Sequence, residues 1–268
     1  MLRSTFLLLP RIGPVTEARL WDAGCATWDD YRAGPPRVRG LGTTLRRRHE
    51  TVLRQAEASL ADDPGFFARE LPHGEHWRAW GELGREAVLL DIETTGHHGS
   101  DADTLTVVGV RRAGRTRQFV LGDDLTSENL DWAFEGATML VSFAGGSFDL
   151  PRLREAGVRI PRVPHFDLLP ALQRLGHRGG LKKVEAALGI ERPEGVRGMN
   201  GYDAVLLWHR HLRGDPAALD RLLAYNRADV DNLEPLARRA YDGLAAKCRD
   251  GAQRRLVPEA LAAAVHAR

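Results

Sequence analysis

The first strand-like pattern of apolar and polar positions follows a first third of the chain that has helical patterning. The segment 86–96 contains an apolar run, 88–90, followed by the carboxylates Asp91 and Glu93. A short apolar run bounded by glycines favours a buried strand. Alternate residues of a strand point to the same side, so we expect Asp91 and Glu93 to present their oxygens together.

The segments that follow have the pattern of an α/β domain. Two β-rich runs, 105–110 and 117–121, are separated by a short turn and predict a hairpin. A helix is then predicted over 127–136 and another buried strand over 138–143. This β-β-β-α-β order fits an α/β fold of ribonuclease H-like type, with a mixed sheet flanked by helices.

The first 85 residues predict a smaller N-terminal helical region. Two short helices, ending near Gly24 and covering about 27–31, resemble a helix-hairpin-helix unit whose backbone amides can hold a phosphate. Simple helical packing is the favoured alternative. A longer amphipathic helix is predicted over 43–60, and its three consecutive arginines form either a solvated face or a patch for a nucleic-acid backbone. We interpret His73 and His76 as surface histidines, because structural zinc needs four ligands.

Further candidate polar residues follow later in the chain. Asp149 comes after the strand at 138–143 and a glycine pair, at the start of a predicted helix, where capping is its alternative role. Tyr225 and Asp229 are four residues apart on a late helix and therefore share a face. The alternative is a half-buried Tyr225 beside a solvated Asp229.

Composition narrows the class of protein but not its chemistry. The 268 residues contain 38 basic and 36 acidic side chains, and the lysines are confined to positions 182, 183 and 247. This excess of arginine fits phosphate binding or, as we favour, genome composition. Cys25 and Cys248 do not form a disulfide framework, and the apolar run 6–9 is too short for a membrane span. We therefore predict a cytoplasmic protein that does not bind a membrane.

The paired carboxylates themselves indicate a metal site. Two like charges on one half-buried face are unfavourable unless a cation neutralises them, and oxygen ligands suit Mg²⁺ or Mn²⁺. A strand end that turns outward into solvent is the alternative for Asp91 and Glu93.

Taken together, Asp91-x-Glu93, Asp149 and Tyr225-x-x-x-Asp229 resemble the tyrosine subclass of the DEDD (DnaQ-like) superfamily of 3′–5′ exonucleases. The chain also resembles the YprB-like family of ribonuclease H-like domains. The segments that carry this second resemblance are 91–96, 147–151, 165–169, 181–189 and 225–233. The resemblance is strong over about residues 86–240 and weaker over the N-terminal region.

The resemblance implies phosphodiester hydrolysis with two Mg²⁺ or Mn²⁺ ions. Asp91 is expected to contact both ions. Glu93 and Asp229 are expected to hold the first ion and Asp149 the second, while Tyr225 orients the attacking water. These five residues form the predicted catalytic set, and the four acids are the predicted metal ligands.

Two departures from the family pattern affect these expectations. Ala144 stands where many relatives have asparagine, so a polar contact near the substrate or the metals is missing. Some close relatives have histidine at the position of Tyr225, so this departure concerns the water-orienting role and not metal binding. His165 and Asp167 either extend the acidic pocket or act as a packed side chain and a helix cap. Lys182 and Lys183 either reach the substrate backbone or begin a solvated helix.

The predicted organisation is therefore a helical region at 1–85, an exonuclease domain at 86–247 and a tail at 248–268. The expected activity is 3′–5′ degradation of single-stranded nucleic acid, with DNA favoured over RNA. The alternatives are a non-catalytic nucleic-acid-binding module with the same fold and a structure-specific endonuclease that uses the same acids.

Overall fold

A five-stranded mixed sheet lies at the centre of the fold. The computed structural model describes residues 1–34, 42–96 and 104–255, with side chains to residue 248 in the last helix. The strands are β1 (Val88–Thr94), β2 (Leu105–Arg112), β3 (Arg115–Val120), β4 (Leu140–Ser142) and β5 (His165–Asp167). Their order is β3-β2-β1-β4-β5; β1, β2 and β3 pair antiparallel, whereas β4 runs parallel to β1 and to β5. The predicted α/β architecture is confirmed.

Helices surround this sheet and form the N-terminal region. They are α1 (Pro14–Asp22), α2 (Trp28–Ala33), α3 (Thr43–Asp62), α4 (Gly65–Glu70), α5 (Trp80–Leu83), α6 (Ser127–Phe134), α7 (Asp149–Glu155), α8 (Leu168–Arg174), α9 (Leu181–Ala187), α10 (Gly201–Leu212) and α11 (Pro216–Arg255). Short 3₁₀ segments cover Leu2–Ser4, His73–Ala79, Gly84–Glu86 and Glu194–Val196. The predicted hairpin is β2–β3, and the predicted N-terminal helices are α1, α2 and α3.

The alternation of β1 divides its residues between two cores. Val88, Leu90 and Ile92 belong to a core that also contains apolar side chains of α6 and α7. Leu89 belongs to a second core, on the side covered by α11. Because strand side chains alternate, Asp91 and Glu93 lie on the Leu89 side and therefore face α11.

Because Gly109 has no side chain, α11 lies close to the sheet at the level of Asp91. Gly109 of β2 is the register partner of Asp91. A Cβ atom at Gly109 would overlap the Asn226 side chain and would lie 2.6 Å from Cγ2 of Val230. Glycine is therefore required here for close approach.

The N-terminal region packs into the second core. Phe6, Leu20 and Trp28 belong to the same apolar cluster as Phe166 of β5 and Leu233 of α11. The helix α11 continues to Arg255 and so passes residue 248, where the tail was predicted to begin. The rest of that tail, 256–268, lies outside the described residues.

Among the described helices, none is both long enough and apolar enough to cross a membrane.

Candidate active site

The predicted site residues come together in one cavity beyond the paired ends of β1 and β4. The parallel pairing of these strands covers Val88↔Leu140 and Leu89↔Val141, so the strands are free to diverge before Asp91. The cavity measures about 440 Å³. Its lining includes Asp91, Glu93, Asp149, Tyr225 and Asp229, together with Phe143, Ala144, Phe148 and Lys182.

Three of the carboxylates converge on one point. One oxygen each of Asp91, Glu93 and Asp229 lies within 4.8 Å of the others, and among the described residues this is the one such group of three potential metal ligands. Glu93 and Asp229 are buried, whereas Asp91 is partly exposed. The Oε1 atom of Glu93 is buried without a hydrogen-bond partner among the described residues. An unpaired buried carboxylate oxygen is unfavourable, so the group fits a bound cation.

Asp149 lies on the other side of the cavity, as the first residue of α7. Phe148 occupies the position before the helix, and Asp149 does not cap it with its side chain. Burial, followed by the charges of Asp167 and Asp229, raises the pKa of Asp149 to about 7, although the amides of Asp149 and Ile92 act in the opposite direction. Its carboxylate is buried, and it is the candidate ligand for a second ion.

The negative charges of the carboxylates in the site repel one another. Burial raises the pKa of Asp91 well above its usual range, and Asp229, Glu93 and Asp149 raise it further. Burial also raises the pKa of Glu93, with Asp229 as the strongest neighbouring charge. Neighbouring like charges and desolvation both favour the protonated form. A set of buried, oxygen-only ligands of this kind matches the preference of Mg²⁺ and Mn²⁺.

Two basic residues contact Asp229 from α9 and the loop after it. Lys182 donates from Nζ to Oδ2 of Asp229 at 2.7 Å, and Arg192 donates to Oδ1. Arg192 also binds both oxygens of Glu185, at 2.6 and 2.7 Å. Burial alone would lower the pKa of Arg192, but its bonds and charge interactions with Glu185 and Asp229 raise it. Lys182 thus reaches the cavity, while Lys183 is exposed; the sequence analysis did not identify Arg192.

Tyr225 is buried beside the acids. Its ring centroid lies 4.4 Å from Nζ of Lys182, within the range of a cation–π contact. Burial, followed by Asp229, Glu93 and Asp91, raises the pKa of the phenol. Tyr225 is therefore neutral near pH 7 and able both to donate and to accept a hydrogen bond. The alternative of a solvated Asp229 is wrong, because its side chain is buried one turn further along α11.

An amide network, which the sequence analysis did not identify, positions Asp91. Nδ2 of Asn226 donates to Oδ2 of Asp91 at 3.1 Å and to its backbone oxygen at 3.3 Å. The Oδ1 atom of Asn226 accepts from Nε2 of Gln118 at 3.0 Å. Gln118 also donates to the backbone oxygen of Leu223 at 2.8 Å. In the sequence, the position of Asn226 next to Tyr225 could have indicated a role at the site. No feature of the sequence around Gln118, in β3, indicates such a role.

The loop after β4 is held by Asp167. Its carboxylate accepts from the amides of Ala144 at 2.8 Å and Gly146 at 3.1 Å, and it caps α8 through Leu169 at 3.1 Å. Ala144 has a positive φ of 63°, a conformation that asparagine tolerates better than alanine. The capping interpretation of Asp167 is confirmed.

His165 is a packed side chain, the second alternative that the sequence left open. It is buried, and its Nε2 lies 2.8 Å from Oγ of Ser142. Its amide donates to Nδ1 of His76 at 3.1 Å. His76 is itself buried, so the interpretation of that residue as a surface histidine is wrong. Burial lowers the pKa of both imidazoles to about 4.

Comparison with known proteins agrees with this architecture. A family model described as the RNase_H superfamily matches residues 88–241. The chain belongs to the RNase_H superfamily. The match contains all five predicted site residues of this RNase_H domain. No curated protein matches the chain.

Two solved structures are similar to this RNase_H chain at low identity. A family B DNA polymerase from the hyperthermophilic archaeon Pyrobaculum calidifontis has 20% identity and a TM-score of 0.49, covering 57% of this chain and 24% of the polymerase. The chain therefore spans about a quarter of the polymerase's length. A structure described as the apo form of a nuclease has 23% identity and a TM-score of 0.44, covering 64% of this chain and 78% of the other.

Proposed function

We propose that this RNase_H-superfamily chain is a nuclease that uses Mg²⁺ or Mn²⁺ to degrade single-stranded nucleic acid from the 3′ end, DNA in preference to RNA. The observation that carries the proposal is the convergence of Asp91, Glu93 and Asp229, with one oxygen of Glu93 unpaired. A buried carboxylate oxygen without a partner reduces stability, and a functional role accounts for its presence.

The four acids divide between two candidate ion positions. Asp91, Glu93 and Asp229 would hold one ion, and Asp149 together with Asp91 would hold the other. Bound ions of this kind supply an activated water and stabilise charge on the attacking and leaving oxygens. The chain's own contribution is a buried set of ligands in which Asn226 fixes the carboxylate of Asp91.

Other side chains of the cavity have complementary tasks. The neutral phenol of Tyr225 would orient the attacking water by hydrogen bonding, because its raised pKa excludes a phenolate near pH 7. Phe143 and Phe148 line the same cavity, and Phe148 is exposed. Aromatic faces stack on unpaired bases irrespective of sequence, which supports a frayed single-stranded end as the substrate.

The test incubates 5′-labelled single-stranded DNA with the protein in Mn²⁺ or EDTA. Stepwise shortening from the 3′ end in Mn²⁺ is expected. Asp91→Asn and Asp149→Asn should each reduce the rate at least about 100-fold, equivalent to about 2.7 kcal/mol in the barrier, since metal stabilisation of charge supplies several kcal/mol. The exposed Asp123→Asn serves as the matched control and should cleave at the wild-type rate.

The same assay separates the alternative functions. Binding without degradation in either Mg²⁺ or Mn²⁺ would establish a non-catalytic binding module. Cleavage of a circular single strand would establish an endonuclease, and faster degradation of an RNA of the same sequence would reverse the proposed preference. We also propose a cytoplasmic location, which the two free cysteines, Cys25 and Cys248, support.

A further inference from the structure

Two further cavities lie next to the acidic cavity, along the loop between α9 and α10. Next to the acids lies a second cavity of about 620 Å³, which shares Lys182 with the first. A third cavity of about 400 Å³ shares Arg197, Gly198 and Met199 with the second. The shared lining residues make the three spaces neighbours, in a series that runs from the carboxylates to α10. We call the second and third cavities together the α10 groove.

The charge of the α10 groove is suited to a polyanion. Its basic lining residues are Lys182, Arg192, Arg197, Arg210 and Arg221, and its acidic lining residues are Glu185, Glu191 and Asp203. Arginine side chains with free donors bind phosphate oxygens, and several in a row provide the salt-dependent affinity typical of nucleic-acid binding.

Most of these basic residues have partners within the protein, and Lys182 is bound to Asp229. Arg192 is bound to Glu185, and Arg210 to Asp215. Arg221 uses Nε for the backbone oxygen of Gly195 at 3.1 Å. Arg197 is exposed, borders both cavities and makes no ion pair with a described residue. Arg197 is therefore the basic residue of the groove best placed to bind a phosphate.

Exposed flat or apolar side chains lie beside this basic path. Tyr202 is 64% exposed and Leu206 is 43% exposed. They are four residues apart on α10 and so share one face of the helix. Tyr202 follows Gly201, which lines the acidic cavity, whereas Leu206 lines the outer cavity. An exposed tyrosine next to a basic groove is typical of a base-stacking position for single strands.

A second possible path, beside α6 and α7, lacks this combination. There a cavity of about 320 Å³ is lined mainly by apolar side chains, including Leu121, Leu125 and Leu130. Its charged lining residues are Arg152 and Glu155, which pair with each other at 2.9 Å. This cavity has no surplus positive charge among its described lining residues, so it suits a nucleic-acid backbone less well.

We propose that the α10 groove binds the part of a single nucleic-acid strand that lies 5′ of the scissile phosphate, with Arg197 on the backbone and Tyr202 stacked on a base. The proposal rests on the proposed nuclease function, because that function places the 3′ end at the acids. It implies that residues outside the acidic cavity make the binding affinity depend on the length of the strand.

The test measures binding of fluorescent dT20 and dT3 by anisotropy, between 50 and 200 mM salt, in Mg²⁺. The Asp149→Asn background prevents hydrolysis during the measurement. Arg197→Ala should weaken dT20 binding at least about threefold at 50 mM salt and reduce the slope of log K against log salt by about 0.7. Tyr202→Ala should weaken dT20 binding at least about fivefold with an unchanged slope, since stacking is not ionic. Both losses should be larger for dT20 than for dT3.

Arg115→Ala is the matched control. Arg115 is also exposed, but it lies at the β2–β3 turn and pairs with Arg112 of β2. The neighbouring Arg111 pairs with Leu89, near the start of β1. Its removal should leave the affinity and the salt slope unchanged. Circular dichroism melting of each variant checks that the fold is retained.

The outcomes separate the groove from the nuclease activity. If Arg197→Ala and Tyr202→Ala bind dT20 as the background protein does, the groove proposal is overturned even when wild-type protein degrades dT20. A loss of affinity on Arg152→Ala instead would assign the strand to the α6–α7 side. Groove-dependent binding by a wild-type protein that degrades nothing would support the groove and refute the nuclease.

Discussion

Glu17 in the N-terminal region and Glu93 in the sheet are both buried, with 1% and 7% of their surfaces exposed, but their neighbours differ. Glu17 accepts from Oγ1 of Thr5 and from the amide of Phe6, each at 2.7 Å, and pairs with Arg78 at 3.1 Å. Glu93 instead lies beside Asp91 and Asp229 and keeps one unpaired oxygen.

The pKa shifts show what this difference means. Burial raises the pKa of both carboxyl groups, but the strongest neighbouring charge lowers it at Glu17, where it is Arg78, and raises it at Glu93, where it is Asp229. The strongest charged neighbour of Glu17 is therefore a cation, whereas at Glu93 the effect of Asp229 exceeds that of Lys182, which lowers the pKa. The first arrangement is structural, and the second is prepared for a ligand.

The largest expected effect is at the compensated pair. Arg78→Met removes the partner of Glu17 from a position that is 4% exposed and should lower the free energy of unfolding by about 3–5 kcal/mol. Urea denaturation measures the change. Arg69→Met, which breaks the exposed pair with Asp63, should change stability by less than about 1 kcal/mol. Equal effects of the two substitutions would remove the distinction between buried and exposed pairing.

The next effect concerns the residue that fixes Asp91. Asn226→Ala should weaken Mn²⁺ binding about 10–100-fold, because groups that orient metal ligands typically contribute that much affinity. Isothermal titration calorimetry measures the change. The control is Asn129→Ala in α6, which removes a side-chain amide that donates to the backbone oxygen of Asp124. Wild-type affinity in Asn226→Ala would mean that Asp91 needs no positioning.

The acids of the cavity should respond in the opposite direction to the Glu17 pair. In EDTA, Asp91→Asn should raise the free energy of unfolding by about 0.5–2 kcal/mol, because it relieves repulsion at a functional site. Thermal melting with and without Mn²⁺ should also show that the stabilisation by metal seen in wild type is lost. A less stable Asp91→Asn in EDTA would show that the four acids are compensated within the protein.

The smallest effect separates backbone strain from site chemistry. Ala144, in the cavity, and Ala113, in the β2–β3 turn, both have positive φ angles, of 63° and 47°. Ala144→Asn and Ala113→Asn should each raise stability by about 0.5–1 kcal/mol, since asparagine tolerates this conformation. Only the substitution at 144 should alter kcat/KM on single-stranded DNA, because only that residue lines the acidic cavity. An equal change of kcat/KM in both variants would disprove a local role.

The α/β fold could be predicted from the sequence, and so could the residues that the structure brings together in one cavity. The strand period placed Asp91 and Glu93 on one side, and the helix period placed Tyr225 and Asp229 on one face. Contacts across long separations had no such signal: Gln118 and Asn226 are 108 residues apart, and Arg192 and Asp229 are 37 apart.

Short elements with mixed polarity were also missed. The strand β5 has three residues, two of them polar, and continues directly into α8, so it shows no measurable alternation. The burial of His76 depends on contact with His165, which is 89 residues away. Burial of a polar residue through such a contact is set by the tertiary structure, not by its local sequence.

Gly109 has no functional group, but the alignment of the site residues depends on it. Any side chain at this position would meet Asn226 and Val230 and force α11 away from β2. Tyr225, Asn226 and Asp229 would move with the helix, while Asp91 would stay with its strand. A selection for inactive variants should therefore recover substitutions at 109 as readily as changes of the acids, and such variants would retain every chemical group of the site while losing their alignment.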